Sequence, residues 1–378
     1  MGGGRQRSRW RYSMSAESPK RILQLNTEHG WRGGENQVLL LAKGLTAPYR
    51  SLVVAQPNSP MAKASRDAGL ETNEIAMRGQ WHLSAIRALR ALIREQHIAI
   101  VHAHTSHAHS LGALACRGTG VPLVVTRRVD FPLKRGWIAR WKYCRAVARH
   151  AAVSEGVRQV MIAGGVPAER IDVIHDGIDF ARFPPQDSSL RKEFSLPADA
   201  VLVGVTAHLT DHKDHRTLLA AWQIIEKTAA KAWLLIIGTG ELEAELKTLA
   251  AQLGLQRVVF TGFRQDINNV LRGLDIFTLT SHLEGLGSSV MDAMYCGLPV
   301  VATRAGGLPE LIDDQSDGLL VAVQDHVGVA QALLRVIGDA TLRQRLGEAA
   351  YQRALQRFSA DVMITRYRSL YDRVGSGG

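Results

Sequence analysis

The chain contains little cysteine and has no long apolar run. Only three cysteines occur among its 378 residues, and none of them belongs to a C-x-x-C motif, which argues against a zinc-binding or dithiol redox motif. Cys116 and Cys296 lie in apolar helical contexts, which favours buried free thiols and a reducing cytoplasm. A membrane-spanning helix needs roughly 20 apolar residues, and no stretch of this sequence approaches that length.

The first 19 residues lack the central apolar region of a secretory signal peptide. They are polar and carry several arginines. We therefore expect residues 1–19 to form a disordered basic tail.

Acidic residues are scarce relative to basic ones. The 35 Asp and Glu residues face 46 Lys and Arg residues, which gives a formal net charge of +11. Such a charge suits nucleic acid, an anionic membrane surface or a phosphorylated substrate. Part of the excess lies in residues 127–145, called here the basic–aromatic segment, where lysines and arginines alternate with large apolar side chains. Its members are Arg127, Arg128, Phe131, Lys134, Arg135, Trp137, Ile138, Arg140, Trp141, Lys142, Tyr143 and Arg145. Basic and aromatic residues together suit a membrane interface, and a solvated basic face explains the same pattern.

Short apolar runs alternate with helical patterns from about residue 20 onward, which predicts parallel α/β units. The first-half strands are predicted at residues 21–25, 51–55, 98–102, 123–126 and 151–153. The alternation is interrupted at residues 179–197, interpreted as an interdomain linker, and restarts at Val201. We predict a Rossmann-like domain over residues 20–183, a second over residues 184–357, and a C-terminal helix within residues 358–378 that packs back on the first domain. The carboxyl ends of two such sheets can face a common cleft.

The strongest motif is the segment SHLEGLGSSVMDAMYCGLPVVAT, which has the pattern of a loop, a helix and a strand. Glu284 lies in the loop, and Gly287, Ser288 and Ser289 open the helix, where free N–H groups and the helix dipole favour a phosphate. Asp292 shares one helix face with the serines. A carboxylate, a phosphate cradle and a second carboxylate match the order of sugar, diphosphate and ribose in a nucleotide sugar. An N-cap cluster with a surface aspartate is the alternative interpretation.

This segment resembles the E-x7-E element of retaining glycosyltransferases of family 4, which have the GT-B fold of two Rossmann-like domains facing each other across a cleft. The resemblance implies that Glu284 contacts the donor sugar. It also implies that Asp292 holds the ribose hydroxyls, although the family pattern has the longer glutamate there.

Other second-half segments resemble the same family. In VTAHLTDHKDH, Lys213 matches the lysine of an R-x4-K pair that binds diphosphate, while His208 replaces the arginine. A histidine makes one contact where an arginine makes two, and it titrates near neutrality. The resemblance implies that the loop containing Gly238 lies close to the donor and that Phe263 and Arg264 lie beside the nucleobase. A solvated lysine at a helix start is the alternative for Lys213.

First-half resemblances are less specific. Gly33 and Gly34 match a glycine-rich loop that would approach the diphosphate from the opposite domain. His102 and His104 follow a strand and point to one side; the family has a histidine near the donor sugar and acceptor, and we assign this role to His104. A core or N-cap histidine is the alternative, and zinc is disfavoured because no cysteine or carboxylate lies at ligand spacing.

Two further turns resemble structural elements of the family. Asp176 replaces the asparagine of the turn that ends the first domain. Glu310, in a GG-x-PE-like segment, is expected to begin a helix.

The resemblance implies a retaining glycosyltransferase that uses a nucleotide-diphosphate sugar. Together with the basic–aromatic segment it predicts a glycan or lipid-linked acceptor, as in bacterial cell-envelope polysaccharide or lipopolysaccharide synthesis. It implies no metal and no cofactor, and we expect no nucleic-acid partner. The expected location is the cytoplasm, with peripheral attachment to the inner face of an anionic membrane as a further option. Two alternatives stay open: a UDP-sugar epimerase of the same fold, and a non-catalytic protein that binds through its basic surface.

Overall fold

The computed structural model describes residues 19–133 and 136–375. Within them the chain forms two parallel sheets covered by helices, as the alternating pattern predicts. The GT-B arrangement expected from the resemblance is therefore confirmed at the level of two α/β domains.

The first sheet has seven parallel strands in the order β3-β2-β1-β4-β5-β6-β7. They are β1 (Lys20–Leu25), β2 (Tyr49–Ala55), β3 (Glu71–Glu74), β4 (Ile98–Ala103), β5 (Leu123–Arg127), β6 (Arg149–Ala152) and β7 (Ile171–Val173). The strand order reverses between β1 and β4, and such a reversal opens a crevice at the carboxyl ends of the strands. Predicted strands overlap all of these except β3 and β7. The polar sequence of β3 and the three-residue length of β7 gave no apolar run to recognise.

The helices of the first domain are α1 (Gly33–Gly44), α2 (Pro60–Asp67), α3 (Leu83–Glu95), α4 (Ser106–Cys116), α5 (Trp137–Arg140) and α6 (Glu155–Ala163). A π-helical turn, Trp141–Arg145, continues α5. The Thr105 and Ser154 side chains accept hydrogen bonds from backbone N–H groups in the first turns of α4 and α6. Capping of this kind satisfies donors that a helix start leaves unpaired.

The second sheet has six parallel strands in the order β10-β9-β8-β11-β12-β13. They are β8 (Val201–Thr206), β9 (Ala232–Ile237), β10 (Val258–Gly262), β11 (Ile276–Leu279), β12 (Val300–Thr303) and β13 (Leu319–Val321). Its helices are α7 (Leu190–Glu193), α8 (His215–Thr228), α9 (Glu243–Gln252), α10 (Ile267–Gly273), α11 (Ser288–Tyr295), α12 (Leu308–Leu311), α13 (His326–Gly338) and α14 (Ala340–Arg357). Here too the order reverses, between β8 and β11.

The segment over residues 179–197 is packed rather than extended between domains. Phe183 and Leu190 are completely buried in the core of the second domain. The segment therefore begins the second domain as well as joining the two.

The last helix, α15 (Ala360–Gly375), lies against the first domain. Tyr367 and Tyr371 are fully buried in a cluster that includes β1 and β5 residues. The Tyr371 hydroxyl is 2.7 Å from Nδ1 of His102, and the Tyr367 hydroxyl is 2.8 Å from Oγ1 of Thr126. Buried tyrosines need such partners for their hydroxyl groups, so α15 completes the core of the first domain.

All three cysteines are free, with Cys116 buried and Cys296 partly buried. Burial raises the pKa of both of these thiols to about 12. In the described ranges, no helix combines the length and apolarity required to cross a bilayer.

Candidate functional site

An ion pair between Lys213 and Glu284 joins two loops at the carboxyl end of the second sheet. Lys213 ends a 3-10 turn after β8, and Glu284 lies in the loop after β11. Ser281 donates a hydrogen bond of 3.1 Å to Oε2 of Glu284. Thr280 donates one of 3.0 Å to the carbonyl of Asp214, which follows Lys213. The two loops are therefore tied together, and both charged side chains are largely buried.

The loop after β5 in the first domain touches the Glu284 loop directly. The backbone N–H of Glu284 donates a hydrogen bond of 3.0 Å to Oδ2 of Asp130. The carbonyl oxygen of Arg128 comes so close to Gly285 that a Cβ there would lie 2.1 Å away. Sequence reasoning missed Asp130, although its signal was present: it is the single carboxylate in the basic–aromatic segment.

Two helix amino termini face each other beside this ion pair. Gly287 has a φ of 105° and precedes α11 without a side-chain cap, so this turn needs a residue that tolerates left-handed backbone. The N–H groups of Val290 and Met291 bind the Gly287 carbonyl, whereas those of Ser288 and Ser289 have no partner among the described residues. In the first domain, α1 begins at Gly33, and a Cβ at Gly33 would lie 3.0 Å from Oγ of Ser288.

Gly34 follows at the same end of α1, where a Cβ would make ordinary contact with Arg128. Helix amino termini attract anions through their free N–H groups and dipoles. The predicted phosphate elements of the two domains, Gly33–Gly34 and Ser288–Ser289, therefore lie together.

Asp292 lies one turn into α11, and its carboxylate is 3.8 Å from the guanidinium of Arg182. Burial raises the pKa of Asp292 to about 6, and the charge of Arg182 offsets this only in part. Because Arg182 belongs to the segment over residues 179–197, Asp292 lies beside the connection between the two domains.

His208 and Gly238 lie in neighbouring loops after β8 and β9. His208 is about half exposed, and its Nε2 lies 4.0 Å from a carboxylate oxygen of Glu241. A Cβ at Gly238 would lie 2.0 Å from the carbonyl oxygen of Ala207. The close approach at Gly238 is thus between two loops of the protein itself.

Phe263 and Arg264 lie after β10 and differ in their surroundings. The side chain of Phe263 is 69% exposed, so its ring is available to a ligand. Arg264 binds Glu193 and also Asp266, the latter at 2.7 Å. The guanidinium of Arg264 is therefore committed to two carboxylates and fastens the residue 179–197 segment to the second domain.

His102 and His104 lie on the same side of β4, with ring centroids 3.9 Å apart. The Nε2 atom of His104 is 2.7 Å from Oε1 of Gln24, and Arg128 donates to its Nδ1 at 3.4 Å. Burial lowers the pKa of both histidines well below 6.5, so both are neutral. Arg128 in turn pairs with the buried carboxylate of Asp176 at 3.2 Å. This ion pair connects the turn that contains Asp176 to the loop after β5.

Glu310 joins the domains on the other side of the Glu284 loop. Its carboxylate accepts hydrogen bonds from the N–H groups of Glu155 at 2.9 Å and Gly156 at 3.2 Å, and from Nε2 of His175 at 2.9 Å. It therefore caps α6 of the first domain, a role that its predicted place at a helix start did not suggest. Ser154 adds a hydrogen bond of 2.6 Å to the carbonyl of Gly285.

Within residues 19–133 and 136–375 no group of three or more His, Cys, Asp or Glu side chains is arranged to hold a metal ion.

Two family models match this chain, one for each domain. The model described as "Glycosyltransferase Family 4" matches residues 31–182, and the model described as "Glycosyl transferases group 1" matches residues 186–353. The boundary between them falls inside the packed segment over residues 179–197.

Curated relatives of this chain are glycosyltransferases as well. The chain is 30% identical over 303 residues to a D-inositol 3-phosphate glycosyltransferase of Saccharomonospora viridis. The matched region covers 71% of this chain and 69% of that protein. It is 27% identical over 278 residues to the UDP-Gal:alpha-D-GlcNAc-diphosphoundecaprenol alpha-1,3-galactosyltransferase of Escherichia coli, covering 69% and 72% of the two chains.

Among solved structures, the HepE protein of Anabaena in complex with UDP and glucose superimposes with a TM-score of 0.83. The match covers 93% of this chain and 99% of that one at 23% identity, which establishes a shared fold. With both domains matched and the fold shared, this chain belongs to the family 4 glycosyltransferases and is a GT-B transferase enzyme.

Proposed function

We propose that this enzyme is a retaining glycosyltransferase that moves a sugar from a nucleotide-diphosphate sugar to a glycan or lipid-linked acceptor in cell-envelope polysaccharide or lipopolysaccharide synthesis. One observation carries the proposal: the unpaired amides of Ser288 and Ser289, the start of α1 and the charge of Lys213 converge beside Glu284. This arrangement suits a diphosphate with a sugar beyond it. The UDP and glucose of the Anabaena structure support a donor of this class.

Each group then has a defined task. Lys213 and the amino terminus of α11 stabilise the charge that develops on the leaving diphosphate, which is catalysis by preorganised electrostatics. Glu284 accepts from the hydroxyls of the donor sugar, and Asp292 accepts from the ribose diol. In this proposal the protein's own cation and amides supply the positive charge, with no metal and no cofactor.

Retention follows from attack on the face that the diphosphate leaves. The bond from the anomeric carbon to the diphosphate oxygen breaks while a bond to the acceptor oxygen forms on the same side. The acceptor proton passes to the departing diphosphate oxygen. Burial lowers the pKa of His104 and makes it a weak base, and both of its ring nitrogens have hydrogen-bond partners. In this scheme it therefore positions the sugar and acceptor rather than taking the proton.

The first domain also offers a surface for an anionic membrane. Trp81 is exposed just before α3 and Leu83 at its first residue, and Trp137 and Ile138 are exposed in α5. Both segments adjoin α4: Ser110 of α4 lies 3.5 Å from Gln80, and Lys142 donates to the carbonyl of Ser106 at 3.1 Å.

The stretch that contains α4 and α5 carries strongly one-sided charge. Between Glu95 and Glu155 the sequence has nine Lys or Arg and one carboxylate. Exposed tryptophans among cations favour peripheral attachment to anionic lipid. The Escherichia coli relative is named for a diphosphoundecaprenol acceptor, which supports an acceptor presented at a membrane.

A panel of UDP-, GDP- and ADP-sugars tests the donor assignment. We expect one nucleotide class to raise the unfolding temperature and its sugar to be hydrolysed slowly without acceptor, or transferred when membrane lipid extract is added. An isomerised donor without transfer would instead identify an epimerase. Absence of any shift or turnover across the panel would contradict the proposal.

A further inference from the structure

The carboxylate of Asp130 in the first domain contacts the backbone of Glu284 in the second domain. Glu284 is the residue proposed to hold the donor sugar. The Oδ2 atom of Asp130 accepts from the N–H of Glu284 at 3.0 Å, and this side chain comes from the loop after β5 of the first domain. All other charged residues of the basic–aromatic segment are Lys or Arg, so the local charge pattern does not explain a carboxylate here.

Residues next to Asp130 also contact the second domain. The Arg128 carbonyl abuts Gly285, and the ring of Phe131 packs edge-on against His212 at 6.4 Å between centroids. His212 precedes Lys213. The loop over residues 128–131 therefore touches both second-domain loops that carry the central ion pair.

Glu284 is consequently held from two sides. Its side chain is bound within the second domain by Lys213 and Ser281, while its N–H is bound by the first domain. A fixed N–H limits rotation about the backbone of Glu284 and so limits where its carboxylate can point. Glu284 is fully positioned only when the two domains are together.

We propose that Asp130 is a positioning residue that couples closure of the first domain to the orientation of Glu284. The inference rests on the proposed function, since it assigns Glu284 to the donor sugar. The hydrogen bond requires an acceptor oxygen and not a negative charge. Asparagine at position 130 retains that oxygen, whereas alanine removes it.

Hydrogen exchange of the ligand-free protein tests the contact itself. In Asp130→Ala the Glu284 amide should exchange at least fivefold faster, while Asp130→Asn should stay within twofold of the unmodified protein. Asp199→Ala serves as the matched control, because Asp199 pairs with Lys231 on the exposed surface of the second domain. Unchanged exchange in Asp130→Ala would overturn the proposal.

Kinetics then test the coupling, with UDP as the binding probe and UDP-glucose hydrolysis as the turnover probe, or the nucleotide class selected by the panel. We expect Asp130→Ala to lower kcat about tenfold, equivalent to about 1.4 kcal/mol, with the nucleotide Kd unchanged. Asp130→Asn should restore at least half of kcat. Equal losses in both variants would show that the charge matters and would refute a positioning role. Failure of the unmodified enzyme to bind any nucleotide would instead contradict the proposed function.

Discussion

The carboxylate of Asp292 lies 3.8 Å from the guanidinium of Arg182, yet its pKa rises to about 6 because burial outweighs this partner. An ionised carboxylate is the stronger acceptor for a ribose diol. Nucleotide affinity should therefore fall as the pH drops through about 6, by up to about tenfold per pH unit. Calorimetric titration with the nucleotide between pH 5 and 8 measures this loss.

The nucleotide phosphate titrates near the same pH, so a matched variant is needed. Asp292→Asn should bind more weakly at pH 7.5 and should lack the part of the pH dependence that belongs to the protein. Identical pH profiles for the two proteins would remove Asp292 from the ribose site.

The same carboxyl group should make folding stability depend on pH. Its pKa in the folded state exceeds the usual 3.8, so the folded state favours the protonated form. The contribution to stability is present below about pH 4 and is lost as the pH rises to about 6, at a cost of roughly 2–3 kcal/mol. Urea unfolding of the unmodified protein and of Asp292→Asn should diverge over that interval. Parallel curves would contradict the raised pKa.

The Lys213–Glu284 pair predicts non-additive nucleotide binding. Removing Lys213 leaves Glu284 as an unpaired carboxylate beside the diphosphate, so Lys213→Ala should weaken binding of the nucleoside diphosphate at least tenfold. Adding Glu284→Ala to that variant should recover part of the affinity, because the repulsion disappears. Calorimetry on the four proteins of this double-mutant cycle gives the coupling.

Turnover measurements should distinguish the role of Glu284 in sugar transfer from the role of Lys213 in nucleotide binding. Glu284→Ala alone should abolish sugar transfer while the nucleotide still binds and the unfolding temperature stays within a few degrees. Full activity of Glu284→Ala would remove the sugar contact from the proposal. Additive binding losses in the cycle would show that the ion pair does not face the diphosphate.

Membrane attachment should depend on apolar side chains as well as on charge. Replacing Trp137 and Ile138 by serine should reduce co-sedimentation with anionic phosphatidylglycerol vesicles at least fivefold, and Arg140→Glu should reduce it in a salt-dependent manner. Trp31→Ser is a useful control, since Trp31 is exposed two residues before α1 and lies outside the two segments that adjoin α4. Equal vesicle binding by all variants would favour the solvated-face interpretation.

The sequence predicted the parts of this enzyme that depend on local pattern. The alternating apolar runs and the glycine-rich helix start at Ser288 can be predicted because neighbouring residues determine them. The contacts of Asp130 and Glu310 across the domain boundary were not predicted, because their partners lie about 150 residues away in the chain. No local pattern specifies such a pairing. The place of Arg264 beside the nucleobase stays a prediction, while the pairing of its guanidinium with Glu193 and Asp266 could not be predicted from the motif.

Close packing at Gly285 predicts that one added methyl group will separate the two halves of the site. A Cβ there would lie 2.1 Å from the Arg128 carbonyl oxygen, which is backbone and cannot rotate away. In Gly285→Ala the Glu284 loop must therefore withdraw from the first domain and lose its hydrogen bonds to Asp130 and Ser154. Gly30→Ala is the matched control, because a Cβ at Gly30 meets nothing within 4 Å.

We expect Gly285→Ala to lower sugar turnover more than tenfold and to leave the nucleotide Kd within twofold, because the lysine and the α11 amides stay in the second domain. Gly30→Ala should match the unmodified enzyme in both measurements. Accelerated hydrogen exchange at Glu284 in Gly285→Ala alone would identify loop separation as the cause. Normal turnover in Gly285→Ala would mean that sugar transfer does not require contact between the Glu284 loop and the first domain.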